Sequence, residues 1–122
     1  VAIAWKDTAE SARAVTAAMP LIEKARIVVI VVAAENEDVS EAMDVAGRLA
    51  VALRWRAIEP EIRCVSVYRR STAGVILTAA REANAGLLVM GGYGHSRARE
   101  YVLGGVTRDL LEDCDMPLLM AH

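Results

Sequence analysis

Phenylalanine is absent from this chain of 122 residues, and aromatics of all kinds make up 4% of it. A core without Phe has to be filled by Val, Ile, Leu, Ala and Met, through many small contacts. Cysteine occurs twice and histidine twice. Cys64 and Cys114 have no CxxC spacing and no His at ligand spacing, so they suggest neither a zinc site nor a redox pair. They read as reduced thiols in the core of a cytoplasmic protein. The net charge of −2 gives no field that would gather nucleic acid or another polyanion. No apolar run approaches the roughly 20 residues of a membrane span, and no secretory signal pattern opens the chain. Neither nucleic acid nor membrane is therefore expected as a partner. The first residues, "VAIAW", enter an apolar run with no initiator Met, the pattern of a longer or processed polypeptide.

What is present is apolar and ordered. Apolar residues are 55% of the chain, and its length suits one domain with a single core, residues 1–122. Short apolar runs alternate with longer segments of helical period. "VAIAW" reads as a strand. "DTAESARAVTAAM" reads as a helix, with Asp7 and Glu10 spaced as a capping box and Ala12, Val15, Ala18 and Met19 as its stripe. Pro20 marks its end. "RIVVIVVAA" is a β-branched run suited to a strand buried on both faces. "DVSEAMDVAGRLAVALRWRA" is helical, "EIRCVSV" is a third strand, and "STAGVILTAAREANA" is a third helix. "GLLVM", "GGVTRDLLEDC" and "MPLLMAH" complete the series as strand, helix and strand. Strict alternation predicts an α/β fold, an open five-stranded parallel sheet with helices on both faces. Pro117 lacks a ladder donor and places the last strand at an edge.

Five glycines crowd the stretch from Gly91 to Gly105, at positions 91, 92, 94, 104 and 105. In a parallel sheet, ligands bind beyond the carboxyl ends of the strands. A loop that leaves such an end and returns to a helix N-terminus presents N–H groups to an anion. Gly91, Gly92 and Gly94 would shape its near wall, Gly104 and Gly105 would open the helix, and Thr107 would add a hydroxyl. The other reading is that these glycines serve tight turns and close packing alone. The stretch is neither a Walker loop nor the dinucleotide fingerprint.

"VMGGYGHSRAREYVLGGVTRDLLEDCDMPLLMAH" resembles the C-terminal part of the universal stress protein family. That family carries a nucleotide motif, G-x2-G-x9-G-[ST]. Gly91, Gly94 and Gly104 match its glycines, and Gly105 stands where the motif has Ser or Thr. "VAIAWKDTAESARAVTAAMPLIEKA" is similar to the opening of the second half of tandem members, so the resemblance covers essentially the whole chain. It implies a Rossmann-like fold of the adenine nucleotide alpha hydrolase type, with strand order 3-2-1-4-5. It also implies a domain that binds ATP or a related adenine nucleotide, with or without Mg²⁺, as a regulatory ligand in the stress response. The residues it implies are Lys6, where binding members carry an acid (or Asp7, if the strand runs one residue further), and Val32, whose backbone would receive adenine. Gly91, Gly94 and Gly104 would lie over ribose and phosphates, followed by Gly105, Val106 and Thr107 of the helix start. Gly105 keeps the backbone N–H and forgoes a hydroxyl bond worth about 0.5–1.5 kcal/mol.

Arg97 and Arg99 in the loop, and Arg108 just past it, suit phosphate contacts as well as they suit a solvated surface. His95 reads as an exposed loop residue. Tyr93 either stacks on a base or caps the crevice. Trp5 closes the first strand beneath that crevice. Val51, Leu53 and Trp55 read as core or interface. No nucleophile has a base beside it and no metal-ligand cluster occurs, so any nucleotide hydrolysis would be slow and incidental. The resemblance further implies pairing through the final strand, as a homodimer or as a pseudo-dimer with an upstream half. Leu118, Leu119 and Met120 would form that edge. The alternative function is a dimerisation or scaffold module of the same family that binds no nucleotide.

Overall fold

The computed structural model describes residues 1–35, 39–92 and 105–122. Its elements alternate as β1 (Ala2–Ala4), α1 (Ala9–Ile22), β2 (Val29–Ala34), α2 (Ser40–Arg54), β3 (Glu61–Ser66), α3 (Thr72–Glu82), β4 (Leu88–Gly91), α4 (Gly105–Asp113) and β5 (Leu118–Ala121). The five strands make one sheet in the order β3-β2-β1-β4-β5, and every pairing is parallel. The sequence-based architecture is the one found. None of the described helices is long and apolar enough to cross a membrane.

Alternation along the strands divides the core in two. Ile3, Ile30, Val32 and Val89 turn to one face, where they pack with Ala14, Val15, Ala18 and Ile22 of α1 and Ala46, Leu49 and Leu53 of α2. Ala2, Ala4, Val29, Val31, Leu88 and Met90 turn to the other, against α3 and Leu110 of α4. The β-branched run of β2 is buried on both faces because the strand lies between two helix layers. The largest side chains with almost no exposure, among them Ile3, Ile30, Leu77 and Leu110, each contribute roughly 1.5–3 kcal/mol of burial. Small alanines at the helix–sheet contacts let α1 and α3 approach closely, which compensates for the missing Phe.

Four local expectations change. The cap of α1 is Thr8, not Asp7: its side chain accepts the Ser11 N–H at 3.3 Å. Asp7 points away to Arg48. Pro20 does not end α1, which continues to Ile22. Ile22 is fully buried, and this anchor outweighs the one backbone bond that Pro20 cannot donate in the last turn. Ala12, placed on the stripe, is exposed, while Ser11 and Ala14 are buried beside Val15 and Ala18. Cys64 and Cys114 are free but only half-buried rather than core residues, and partial burial still pushes the Cys64 thiol pKa up. Both cysteines lie toward the rims of the sheet, Cys64 on the edge strand β3.

Candidate functional site

The order β3-β2-β1-β4-β5 reverses direction at β1. The chain leaves β1 toward β2 on one side and later returns to β4 on the other. The carboxyl ends of β1, β2 and β4 therefore flank a switch point, the place where ligands enter such sheets. β1 is short and stops at Ala4. Its last bond to β2 runs from the Trp5 N–H to the Val31 oxygen, 2.9 Å. β2 runs on to Ala34, so its final residues stand clear of β1.

Which backbone groups face that gap follows from parity. In a parallel strand the N–H and C=O of one residue point to the same neighbour, and successive residues alternate. The Val28 and Ala34 oxygens accept from β3 or its flanks, whereas Val31 serves β1. Val32 therefore turns its backbone to β3, where it sits opposite Cys64. Ala33 is the next residue to face the β1 side, and it is half-buried where its strand neighbours are buried. Ala33, not Val32, thus turns its backbone to the β1 side beyond the end of β1. No sequence signal picks it out, because the choice depends on where β1 ends.

Across the gap, Gly91 closes β4. A Cβ there would stand 2.5 Å from the Ser11 nitrogen and 2.8 Å from the Glu10 carbonyl carbon. The first turn of α1 presses on Gly91, so close packing alone requires glycine at this position. Gly92 donates its N–H to the Ala121 oxygen at 2.7 Å, and a Cβ on it would meet Met120. Gly105 begins α4, and among the described residues nothing stands within 4 Å of where a Cβ would be. Val106 is exposed, whereas Thr107 is buried on the packed side of α4 with Leu110. Gly94, Gly104, Arg97 and Arg99 lie outside the described residues, as do Tyr93, His95 and Glu100.

The loop from β1 to α1 supplies the remaining groups. Lys6 is exposed, and its carbonyl accepts the Thr8 N–H at 2.8 Å in the turn before α1. The Asp7 carboxylate accepts from Arg48 Nη2 of α2 at 2.8 Å, both side chains being well exposed. This pair ties the loop to α2. Beneath it, Trp5 lines a groove of about 620 Å³ between α1 and α2, with Val15, Met19, Leu49 and Leu53. The Trp5 Nε1 is buried and has no hydrogen-bond partner among the described residues. A larger open groove of about 720 Å³ lies at the opposite end of the sheet, by Ile27, Gly86 and Pro117, away from the switch point. Among the described residues there is no cluster of three metal-ligating side chains.

Leu118, Leu119 and Met120 lie in β5, which among the described strands pairs with β4 alone. All are half-buried. Leu119 packs on the face of the sheet that α1 covers, and Leu118 and Met120 on the face that α3 and α4 cover. The Pro117 and Ala121 oxygens accept from β4 and from Gly92. By the same parity, Leu118 and Met120 turn their backbone groups outward.

Comparison with solved structures places this geometry. A universal stress protein from Archaeoglobus fulgidus superposes with a TM-score of 0.81 at 20% identity, over 99% of this chain and 96% of that one. The hypothetical protein MJ0577 gives 0.80 at 15% identity, over 98% and 94% of the two chains. A universal stress protein in complex with cAMP gives 0.67 at 22% identity, over 99% and 95%. At such identities the likeness is one of fold. No curated protein matches the chain. The model of the universal stress protein family, however, matches residues 1–122 from end to end. With that match, and with the same sheet order and alternation of elements, the chain belongs to the universal stress protein family.

Proposed function

We propose that residues 1–122 act as one universal stress protein domain that binds an adenine nucleotide, ATP or a relative of it, as a regulatory ligand. The observation that carries this reading is the gap beyond β1. Ala33 presents a backbone donor and acceptor to one side of it, and α4 begins on an uncrowded glycine. A donor and acceptor on one residue suit the edge of adenine. A helix N-terminus suits phosphate. Gly94 and Gly104 complete the family spacing in sequence. A relative of the same fold is known in complex with cAMP, an adenine nucleotide. Mg²⁺ would accompany the phosphates of ATP, and no side-chain cluster of the described residues is needed to hold it. Binding, not turnover, is the role these residues support, and the pathway it serves would be a stress response.

A second reading is an assembly module without nucleotide. It is favoured by Gly91, whose glycine is required by α1 packing, and by Asp7, which is committed to Arg48. Under either reading the outward groups of β5 suit pairing with a second copy or with an upstream half. Calorimetry with ATP and with cAMP separates the two. The first reading expects saturable binding that Gly104→Asp removes, because a carboxylate would stand against the phosphates. Absence of binding to the wild-type protein would overturn it in favour of the assembly module, and equal affinity in the variant would overturn the glycine loop as the binding site.

A further inference from the structure

One glycine has no explanation among the described residues. Gly47 lies in the middle of α2, where glycine weakens a helix. None of the described residues stands within 4 Å of the place a Cβ would occupy. Neither a turn nor a close contact among them calls for it, and its φ is not positive. The remaining physical reason for a mid-helix glycine is the approach of another backbone.

The surroundings of Gly47 describe what approaches. Ala42, Ala46, Leu49, Ala50 and Leu53 take the buried side of α2. Asp44, Gly47, Val51 and Arg54 follow one another on the outer side at spacings of three, four and three residues. This is the seam spacing of helices that pack at about 20°. Val51 is 52% exposed, and Trp55, flanking the seam, is 85% exposed.

The seam is complementary to itself when reversed. Set two copies of α2 antiparallel, with the two-fold axis at the level of Leu49. Val51 of each copy then lies at the level of Gly47 of the other, a projecting side chain against a hollow. Asp44 of each lies at the level of Arg54 of the other, and the two helix dipoles oppose. Asp44 makes no ion pair among the described residues. Arg54 is already held through Nε and Nη2 by Glu59, and its Nη1 makes no hydrogen bond to a described residue. A guanidinium fixed in this way loses little freedom on meeting another carboxylate.

We propose that α2 is a docking surface for α2 of a second copy of this chain, packed antiparallel across Gly47 and Val51. The contact is small beside the roughly 1,200–2,000 Å² of a stable complex, so it is a weak association that acts at high local concentration. It is separate from the β5 edge. A chain using both faces would join into rows rather than closed pairs.

The test uses the full chain carrying Leu119→Lys, in which β5 pairing is suppressed, followed by sedimentation and by amide NMR shifts on dilution from millimolar concentration. The expected result is residual self-association with shifts concentrated between Met43 and Trp55. Gly47→Leu, which fills the hollow, should weaken it at least tenfold. Asp44→Arg should weaken it too, and Asp44→Arg with Arg54→Asp should restore it. Gly47→Ala should raise the melting temperature while weakening the association, a split that a merely structural role would not give. If the Leu119→Lys chain does not fold, the same dilution shifts are read on the wild-type chain, where α2 and β5 amides are distinguished. A protein whose α2 amides do not move with concentration, or whose association is indifferent to Gly47→Leu, would overturn the proposal and leave any β5 pairing untouched.

Discussion

At Gly91, a missing Cβ decides how closely α1 can lie on the sheet. A methyl there would stand 2.5 Å from a backbone nitrogen of α1, and backbone cannot swing aside as a flexible side chain can. Gly91→Ala should therefore cost roughly 1–3 kcal/mol, the range of overpacked cores, and chemical denaturation would measure it. Gly105 is the contrasting case. Its Cβ position is clear of the described residues, so Gly105→Ser should leave the melting temperature nearly unchanged. The added hydroxyl should tighten ATP binding by up to about tenfold, the value of one hydrogen bond. Calorimetry on the two proteins is the comparison. A loss of stability at Gly105 would contradict the open space, and unchanged affinity would mean that the phosphates do not reach α4. The sequence displayed Gly91 at a glycine of the family motif and Gly105 at its Ser or Thr position. It did not display that one is held by packing and the other is not, because the turn of α1 that crowds Gly91 comes from residues eighty positions earlier. Val32 and Ala33 teach the same lesson. Adjacent residues of similar character have opposite backbone directions, and only the register of β2 between β1 and β3 selects between them.

Helices were legible as segments, and their ends much less so. The periodicity of Val15 and Ala18, or of Val75, Ile76, Ala79 and Ala80, survives in the buried faces of α1 and α3. The cap of α1 was misplaced by one residue because Asp7, Thr8 and Glu10 offer more than one capping arrangement, and Asp7 is claimed by the distant Arg48. Thr8 accepts from Ser11 just where α1 leans on Gly91. Thr8→Ala should cost about 1 kcal/mol, as N-cap truncations do. In this protein the loss should also loosen the β1–α1 loop, which carries Lys6 and Asp7. Amide hydrogen exchange across residues 6–11 is the measure. Faster exchange confined to that stretch is the expected result, and unaltered exchange would mean that the Asp7–Arg48 pair holds the loop alone. Ser71 caps α3 in the same manner, accepting from Gly74 at 3.0 Å.

At the scale of the whole molecule, the two edges of the sheet decide what assembly is open to it. The architecture itself followed from strict alternation, since right-handed crossovers leave few ways to arrange five parallel strands. The edges carry the rest. β3 is the longer edge, and its Arg63 side chain pairs with Glu61 and reaches Glu82 and the Ala79 oxygen. A charged side chain committed in this way discourages pairing with another strand. β5 has no charged residue between Pro117 and Ala121. Its outward N–H and C=O groups belong to Leu118 and Met120, and its half-exposed side chains remain partly in water. Pairing two β5 strands antiparallel would satisfy those groups and extend the apolar layer on both faces across the junction. Pro117, just before the strand, limits such a ladder to a few residues and so to a pair. Leu119→Lys should split this pair. The aliphatic stem can still lie along α1 while the ammonium reaches water, so the fold should persist, with circular dichroism unchanged. Light scattering at micromolar concentration should then give twice the chain mass for the wild type and one chain mass for the variant. A wild-type protein that is monomeric under those conditions would show that β5 is an edge this chain leaves unpaired.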